Sequence, residues 1–216
     1  MLDTLVQSGA GVSSESRLLK NTYTLLSATL VFTAAITWFT QDIHLSRWVY
    51  LGSVLGGFAL LFVTMGLRNS ALGLLALFGF AGLEGLSLGQ IINVYMRTSG
   101  GANAVAEACG MTALTFVCLS GYVHLTRKDF SAWGGMLFAG LIVVVVASLI
   151  GFFVPSQAFQ LALAGVSALI FCGYILYDTS AILLGGETNY IMATMRLYLD
   201  ILNLFLSLLR LLSPRN

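Results

Sequence analysis

The sequence predicts an all-α integral membrane protein of seven transmembrane helices, and three observations carry that prediction. Of its 216 residues 58% are hydrophobic and only 9% are Lys, Arg, Asp or Glu, where a soluble domain carries roughly a quarter charged residues. The mean hydropathy is +0.92, more apolar surface than one aqueous core of this size hides. The apolar residues fall into seven stretches, each near the ~20 residues that cross a bilayer. Alternating strands, which a barrel would need, are absent, so every backbone group has to be satisfied inside a helix.

The elements follow in order. Residues 1–22 are polar, with Glu15, Arg17 and Lys20, and read as a cytoplasmic tail rather than a cleavable signal. The spans are 23–39, 48–67, 71–96, 102–125, 133–154, 159–184 and 191–212, with a short tail at 213–216. Trp48 and Trp133 stand at span ends, as interfacial aromatics do. Gly52 and Gly56 in the second span, and Gly82, Gly85 and Gly89 in the third, have the small-residue spacing that lets helix backbones approach. Gly85 to Gly89 also matches GxSxG, but no strand precedes it, and it reads as packing. Cys109, Cys118 and Cys172 share no metal or redox spacing and also read as packing residues. His44 and His124 fall at span ends.

Net charge is +1 with no basic or acidic run, which gives no footprint for nucleic acid. Composition likewise excludes a secreted disulfide scaffold and a disordered chain. Arg17, Lys20, Arg68, Arg127 and Lys128 gather on one side of seven spans, against Arg47, Arg97, Arg210 and Arg215 on the other. The excess puts the N-terminus in the cytoplasm and the C-terminus outside.

The informative residues are the charges inside the spans: Glu84, Glu107, Asp178, Arg196, Asp200 and Arg210. Such groups are costly in hydrocarbon and face the bundle interior or a water-filled cavity. Glu107 lies near the outer end of its span and reads as interfacial. Asn189, Arg196, Asp200, Asn203, Ser207 and Arg210 recur at spacings of 7, 4, 3, 4 and 3, one face of a helix. A polar stripe in lipid turns inward, so the seventh helix is expected at the centre of the bundle. Asp178 lies six residues before the end of the sixth span and Asp200 nine after the start of the seventh. A short loop joins the two, so the helices are antiparallel neighbours and the carboxyls come at comparable depth. Two carboxyls in contact there share one proton and titrate as a pair. The other reading pairs each separately, Asp200 with Arg196 and Asp178 with tyrosine hydroxyls. Glu84 either extends a polar path or is hydrogen-bonded across a helix interface.

Tyr174-Ile175-Leu176-Tyr177-Asp178 and Leu197-Tyr198-Leu199-Asp200-Ile201-Leu202-Asn203-Leu204-Phe205 resemble the closing helices of the Bax inhibitor-1 (transmembrane Bax inhibitor motif) family. Thr112-Ala113-Leu114-Thr115-Phe116 is similar to its central signature, and Gly89-Gln90 stands where the family usually has Gly-Pro. Asn21-Thr22-Tyr23, Thr126-Arg127-Lys128-Asp129, Gly134-Gly135-Met136-Leu137 and the run from Gly185 to Ile191 look most like its proteobacterial branch, which includes an inner-membrane modulator of the FtsH protease. The resemblance implies six helices around a central seventh and a pH-dependent calcium leak gated by Asp178 and Asp200. It also implies an arginine latch, for which Arg68 is the candidate, with Arg196 an additional cation beside Asp200.

Calcium takes six to eight oxygens, and Asp178 and Asp200 with Asn203, Ser207, carbonyls and water offer a weak site of that kind. The expected partners are thus the bilayer, calcium or another cation, and a membrane-bound AAA protease, with no cofactor beyond weakly held calcium. The readings rank as leak, non-catalytic protease regulator, and intramembrane aspartyl protease. The last is disfavoured because Tyr198-Leu199-Asp200 stands where GxGD is needed. A retinal protein is excluded, since Lys20 and Lys128 both lie outside the seventh span.

Overall fold

The computed structural model describes residues 2–43, 45–154 and 156–213, with side chains from residue 16 onward; His44 and Arg215 lie outside the described residues. The expected architecture is found: seven α-helices and no strand among the described residues. They are α1 (Leu2–Thr40), α2 (Arg47–Gly66), α3 (Ala71–Met96), α4 (Gly101–Thr126), α5 (Gly134–Phe153), α6 (Gln157–Leu183) and α7 (Tyr190–Leu212), with a 3₁₀ turn, Ser131–Trp133, before α5. All seven hold a stretch long and apolar enough to cross a membrane, which in α1 begins at Ser16.

Local chemistry sets the helix ends. Ser46 and Ser156 accept from the backbone N–H groups of Val49 and Phe159 and so cap α2 and α6, meeting donors that have no partner within the helix. Gly100 and Gly185 take positive φ values of 77° and 78°, conformations that cost glycine nothing. At Gly101 the chain turns back so sharply that a Cβ would run into the Tyr95 carbonyl.

The chain divides into two compact units. The first holds α1 to α3 as far as Val94, together with Gly185–Tyr198, and so the start of α7. Here α1 lays a stripe of buried threonines, Thr22, Thr29, Thr33 and Thr37, inward. The Thr33 and Thr37 hydroxyls donate to the Ala81 and Gly85 carbonyls of α3 at 3.1 and 3.0 Å. Such close approach requires glycine at 85, where a Cβ would sit 2.9 Å from the Thr33 carbonyl oxygen. The end of α1 leaves carbonyls without helical partners, and α3 supplies amides for them. Gln90 donates to the Thr40 and Ile43 carbonyls, and Asn93 to that of Gln41.

The second unit runs from Tyr95 to Leu184 and resumes at Leu199 with the rest of α7. Its core joins Ala168, Phe171 and Ile175 of α6 to Leu204 of α7, with Phe116 and Leu119 of α4 and Leu141 of α5 packed around them. Gly134 and Gly173 make room for Tyr177 and Leu137. Of the cysteines, Cys172 packs against this core, whereas Cys109 and Cys118 are exposed. The packing role expected for those two is not found, because in lipid a thiol on an outer helix face needs no partner.

α7 is the most enclosed of the seven. Within its span 67% is buried, against 17–44% in the others. Its polar stripe runs inward over Asp200 and Ser207, which are buried, and comes to the surface at Arg210, whose guanidinium donates to Gln160 Oε1 at 2.9 Å.

Candidate functional site

The polar residues singled out from the sequence fall into two groups, one in each unit. In the second unit α6 carries Asp178 and α7 carries Asp200, with 5% and 4% of their surface exposed. Both are therefore sheltered carboxyls inside spans, where an unpaired charge is expensive. The Tyr174 phenol, one turn before Asp178, lies within electrostatic reach of both. Below Asp200, Asn203 donates its amide to the Leu199 carbonyl and Ser207 its hydroxyl to the Asn203 carbonyl, each at 2.7 Å. These donors are thus turned onto the helix backbone, and the Asn203 Oδ1 and Ser207 Oγ lone pairs are left as acceptors. Among the described residues no three His, Cys, Asp or Glu side chains come together in a metal-binding group.

The remaining candidates, Arg68, Arg196 and Glu84, belong to the first unit. Arg68 is exposed at the end of α2, and its backbone carbonyl accepts from Asn189 Nδ2 at 2.9 Å. The Arg196 guanidinium meets Glu187 at 3.3 Å, with 42% of its side chain exposed. Glu84 lies in the middle of α3 beside Gly57 of α2. Ser87, the serine of the GxSxG string, is a packing hydroxyl that meets Ser53 at 2.9 Å and donates to the Leu83 carbonyl.

Three residues to which the sequence reading gave no site role of their own organise the first unit. Glu187 Oε1 accepts from the backbone N–H groups of Thr188 and Asn189, both at 2.9 Å, while its other oxygen holds Arg196. Asn189 then caps α7, with Oδ1 accepting from Ile191 and Met192, and ties the α2–α3 turn through Arg68 and Asn69. A capping Asn directly before an apolar helix was a readable signal. The third is Tyr198, wholly buried, whose hydroxyl meets that of Thr33 at 2.8 Å and whose ring stands edge-on to Phe80.

Comparison with known proteins gives this geometry its lineage. The family model described as "Inhibitor of apoptosis-promoting Bax1" matches residues 15–216. An uncharacterized membrane protein of Vibrio cholerae serotype O1 is 47% identical over 202 residues, covering 93% of this chain and 91% of its own. The modulator of FtsH protease YccA of Escherichia coli (strain K12) is 40% identical over 214 residues, 98% of this chain and 97% of its own. An uncharacterized protein of Pseudomonas aeruginosa is 43% identical over 195 residues, 90% and 88% of the two chains. With a family match across nearly its whole length and relatives of this closeness, the chain belongs to the Bax inhibitor-1 family of membrane proteins.

Proposed function

We propose that this chain modulates an ATP-dependent protease of the FtsH type in the bacterial inner membrane, without catalysing a reaction itself. The observation that carries this reading is the 40% identity to a modulator of that protease over 98% of this chain and 97% of the relative. An Escherichia coli relative of the same identity and coverage is described as an inner membrane protein, which supports the location. Outside the 3₁₀ turn, the connections between helices run to six residues at most. A partner is therefore met through helix faces within the bilayer and the polar N-terminal stretch. The test is co-reconstitution with a membrane-bound AAA protease and a membrane substrate. Substrate turnover should change with the amount of this chain added; turnover unaffected by a saturating amount would refute the reading.

Asp178 and Asp200 favour a second reading, a pH-dependent leak of calcium or another cation. Two sheltered carboxyls on consecutive antiparallel helices repel as charges, so together they hold a proton more readily than either would alone. Losing that proton as pH rises creates a charge that a cation can answer, and the free acceptor oxygens of Asn203 and Ser207 add weak ligands. Calcium flux through the reconstituted chain should titrate with pH, and the titration should vanish in Asp178→Asn and in Asp200→Asn. If Arg68 or Arg196 latches the closed state, Arg68→Gln and Arg196→Gln shift the midpoint non-additively. A midpoint unchanged in both aspartate variants would sink the leak and leave modulation standing.

A further inference from the structure

The corner between α4 and α5 plays no part in either reading. The membrane-spanning stretch of α4 ends at Thr126 and the next begins at Ser131, so Arg127, Lys128, Asp129 and Phe130 make the whole connection. Four fully extended residues reach about 13 Å, and these have to leave the bilayer and return to it. The exposed cations Arg127 and Lys128 therefore stay at the level of the lipid headgroups. Tyr122, Leu125 and Trp133, exposed at the adjoining ends of the two spans, complete the mixture of basic and aromatic groups found at membrane interfaces.

Packing holds the corner in one shape. Phe130 is buried, its N–H donates to Ser180 Oγ of α6 at 3.2 Å, and its ring stands edge-on to Trp133 with centroids 5.1 Å apart. Asp129, the corner's one acid, gives Oδ1 to the Ser131 N–H at 2.8 Å. Lys128 Nζ lies 5.6 Å from the centroid of the Phe130 ring, a cation–π contact that positions the ammonium without neutralising it. Among the described residues neither Arg127 nor Lys128 takes part in an ion pair. The corner thus presents two cations against one acid that pairs with neither.

Arg127 is the telling residue. It ends α4 in the left-handed conformation, φ 51° and ψ 29°, with its N–H donating to the Val123 carbonyl. A helix usually takes glycine there, because the conformation is free for glycine and costly for a residue with a side chain. Among the described residues Arg127 is the one non-glycine with positive φ, whereas Gly100 and Gly185 supply glycine for theirs. Strain kept in this way marks a side chain held for function. We propose that the α4–α5 corner binds the headgroup of an anionic phospholipid, whose phosphate meets the Arg127 guanidinium and the Lys128 ammonium while its acyl chains lie against Tyr122, Leu125 and Trp133. The guanidinium offers phosphate oxygens a planar fork and the ammonium a point charge. Two cations so little opposed favour a lipid of net negative charge over a zwitterion, and the short reach of the corner favours a lipid over a soluble acidic partner.

The experiment is tryptophan quenching in vesicles. Trp38→Phe and Trp48→Phe, both at exposed positions, leave Trp133 beside the corner as the one reporter. The full chain is reconstituted in phosphatidylcholine vesicles that contain a fixed share of lipid brominated on its acyl chains near the headgroup, either phosphatidylglycerol or phosphatidylcholine. Brominated phosphatidylglycerol should quench Trp133 more strongly, and Arg127→Gly and Lys128→Gln should each weaken that preference about fivefold. Because glycine suits the left-handed backbone, Arg127→Gly should melt no lower than the chain that keeps the arginine. The preference should also survive an excess of inorganic phosphate at matched ionic strength. Equal quenching by the two lipids, or a preference untouched in either variant, would overturn the proposal. So would a lower melting temperature in Arg127→Gly, which would make the arginine a structural residue, or displacement by inorganic phosphate, which would assign the corner to a free anion.

Discussion

Replacing Asn189 tests how the first unit anchors α7. The Asn189 side chain makes four hydrogen bonds: Oδ1 accepts from Ile191 at 3.0 Å and Met192 at 3.1 Å, and Nδ2 donates to the Arg68 carbonyl at 2.9 Å and to Asn69 Oδ1 at 2.8 Å. Removing an Asn cap costs about 1 kcal/mol. The two donated bonds are exposed and contribute at the low end of the usual range, about 0.5 kcal/mol each. Asn189→Ala should therefore destabilise by about 2 kcal/mol, the sum of cap and tie. Asn189→Asp keeps both accepted bonds, adds about 0.5 kcal/mol from a negative charge at a helix N-terminus, and loses only the donated pair, so its net cost should be about 0.5 kcal/mol. Hydrogen exchange in lipid nanodiscs reads the difference at two amides. In Asn189→Ala, Ile191 and Met192 should exchange about fivefold faster, the kinetic equivalent of a lost 1 kcal/mol cap, whereas in Asn189→Asp their protection should persist. Equal deprotection in the two variants, or none in Asn189→Ala, would show that something other than this side chain orders the start of α7.

Three further outcomes are expected. Glu187→Gln breaks the ion pair with Arg196 but keeps the oxygen that the Thr188 and Asn189 amides use; because Arg196 is 42% exposed, the loss in thermal stability should stay below about 1 kcal/mol and disappear in high salt. Gly101→Ala puts a methyl into the Tyr95 carbonyl and should cost about 3 kcal/mol or more, while Gly110→Ala, with nothing within 4 Å, should change stability by less than about 0.5 kcal/mol; denaturation of the two in parallel checks this. In a chain freed of Cys109, Cys118 and Cys172, a cysteine at position 128 should resist a membrane-impermeant thiol reagent added from outside and one at position 216 should react, and the reverse pattern would invert the topology drawn from the basic residues.

The seven helices were legible because lipid leaves the backbone no alternative: a stretch as apolar as that of α5, with its run of four valines from Val143 to Val146, has nowhere to satisfy its amides but in a helix. The enclosure of α7 was legible for a related reason. Asp200, Asn203 and Ser207 recur at helical spacing in an otherwise apolar segment, and the helix is indeed the most buried of the seven. The start of α7 was harder to read. Asn189 counted in the sequence as one more member of the polar stripe, yet its side chain caps the helix and reaches a turn 120 residues earlier. Spacing along one helix carries no trace of a partner that distant.

The threonines of α1 show why the polar interior of a membrane protein resists reading even when every residue in it is known. A Thr in a helix can return its hydrogen to the carbonyl one turn back, as Thr40 does to Ile36 and Thr64 does to Leu60, and it is then polar in name only. Thr33 and Thr37 look the same in the sequence but donate across to α3 instead. Residue type does not separate them: at Gly85 the backbones come close enough for the Thr37 hydroxyl to reach a foreign carbonyl, whereas Thr40, which also lies against an α3 glycine, Gly89, still turns its hydrogen back to Ile36. The choice at Thr33 fixes the next one. Because the Thr33 hydrogen goes to Ala81, the Tyr198 hydroxyl donates to Thr33. The direction of a buried phenol's hydrogen bond on α7 thus traces back to the close approach of α1 and α3 at a missing side chain, a dependence that becomes visible only once the helices are placed side by side.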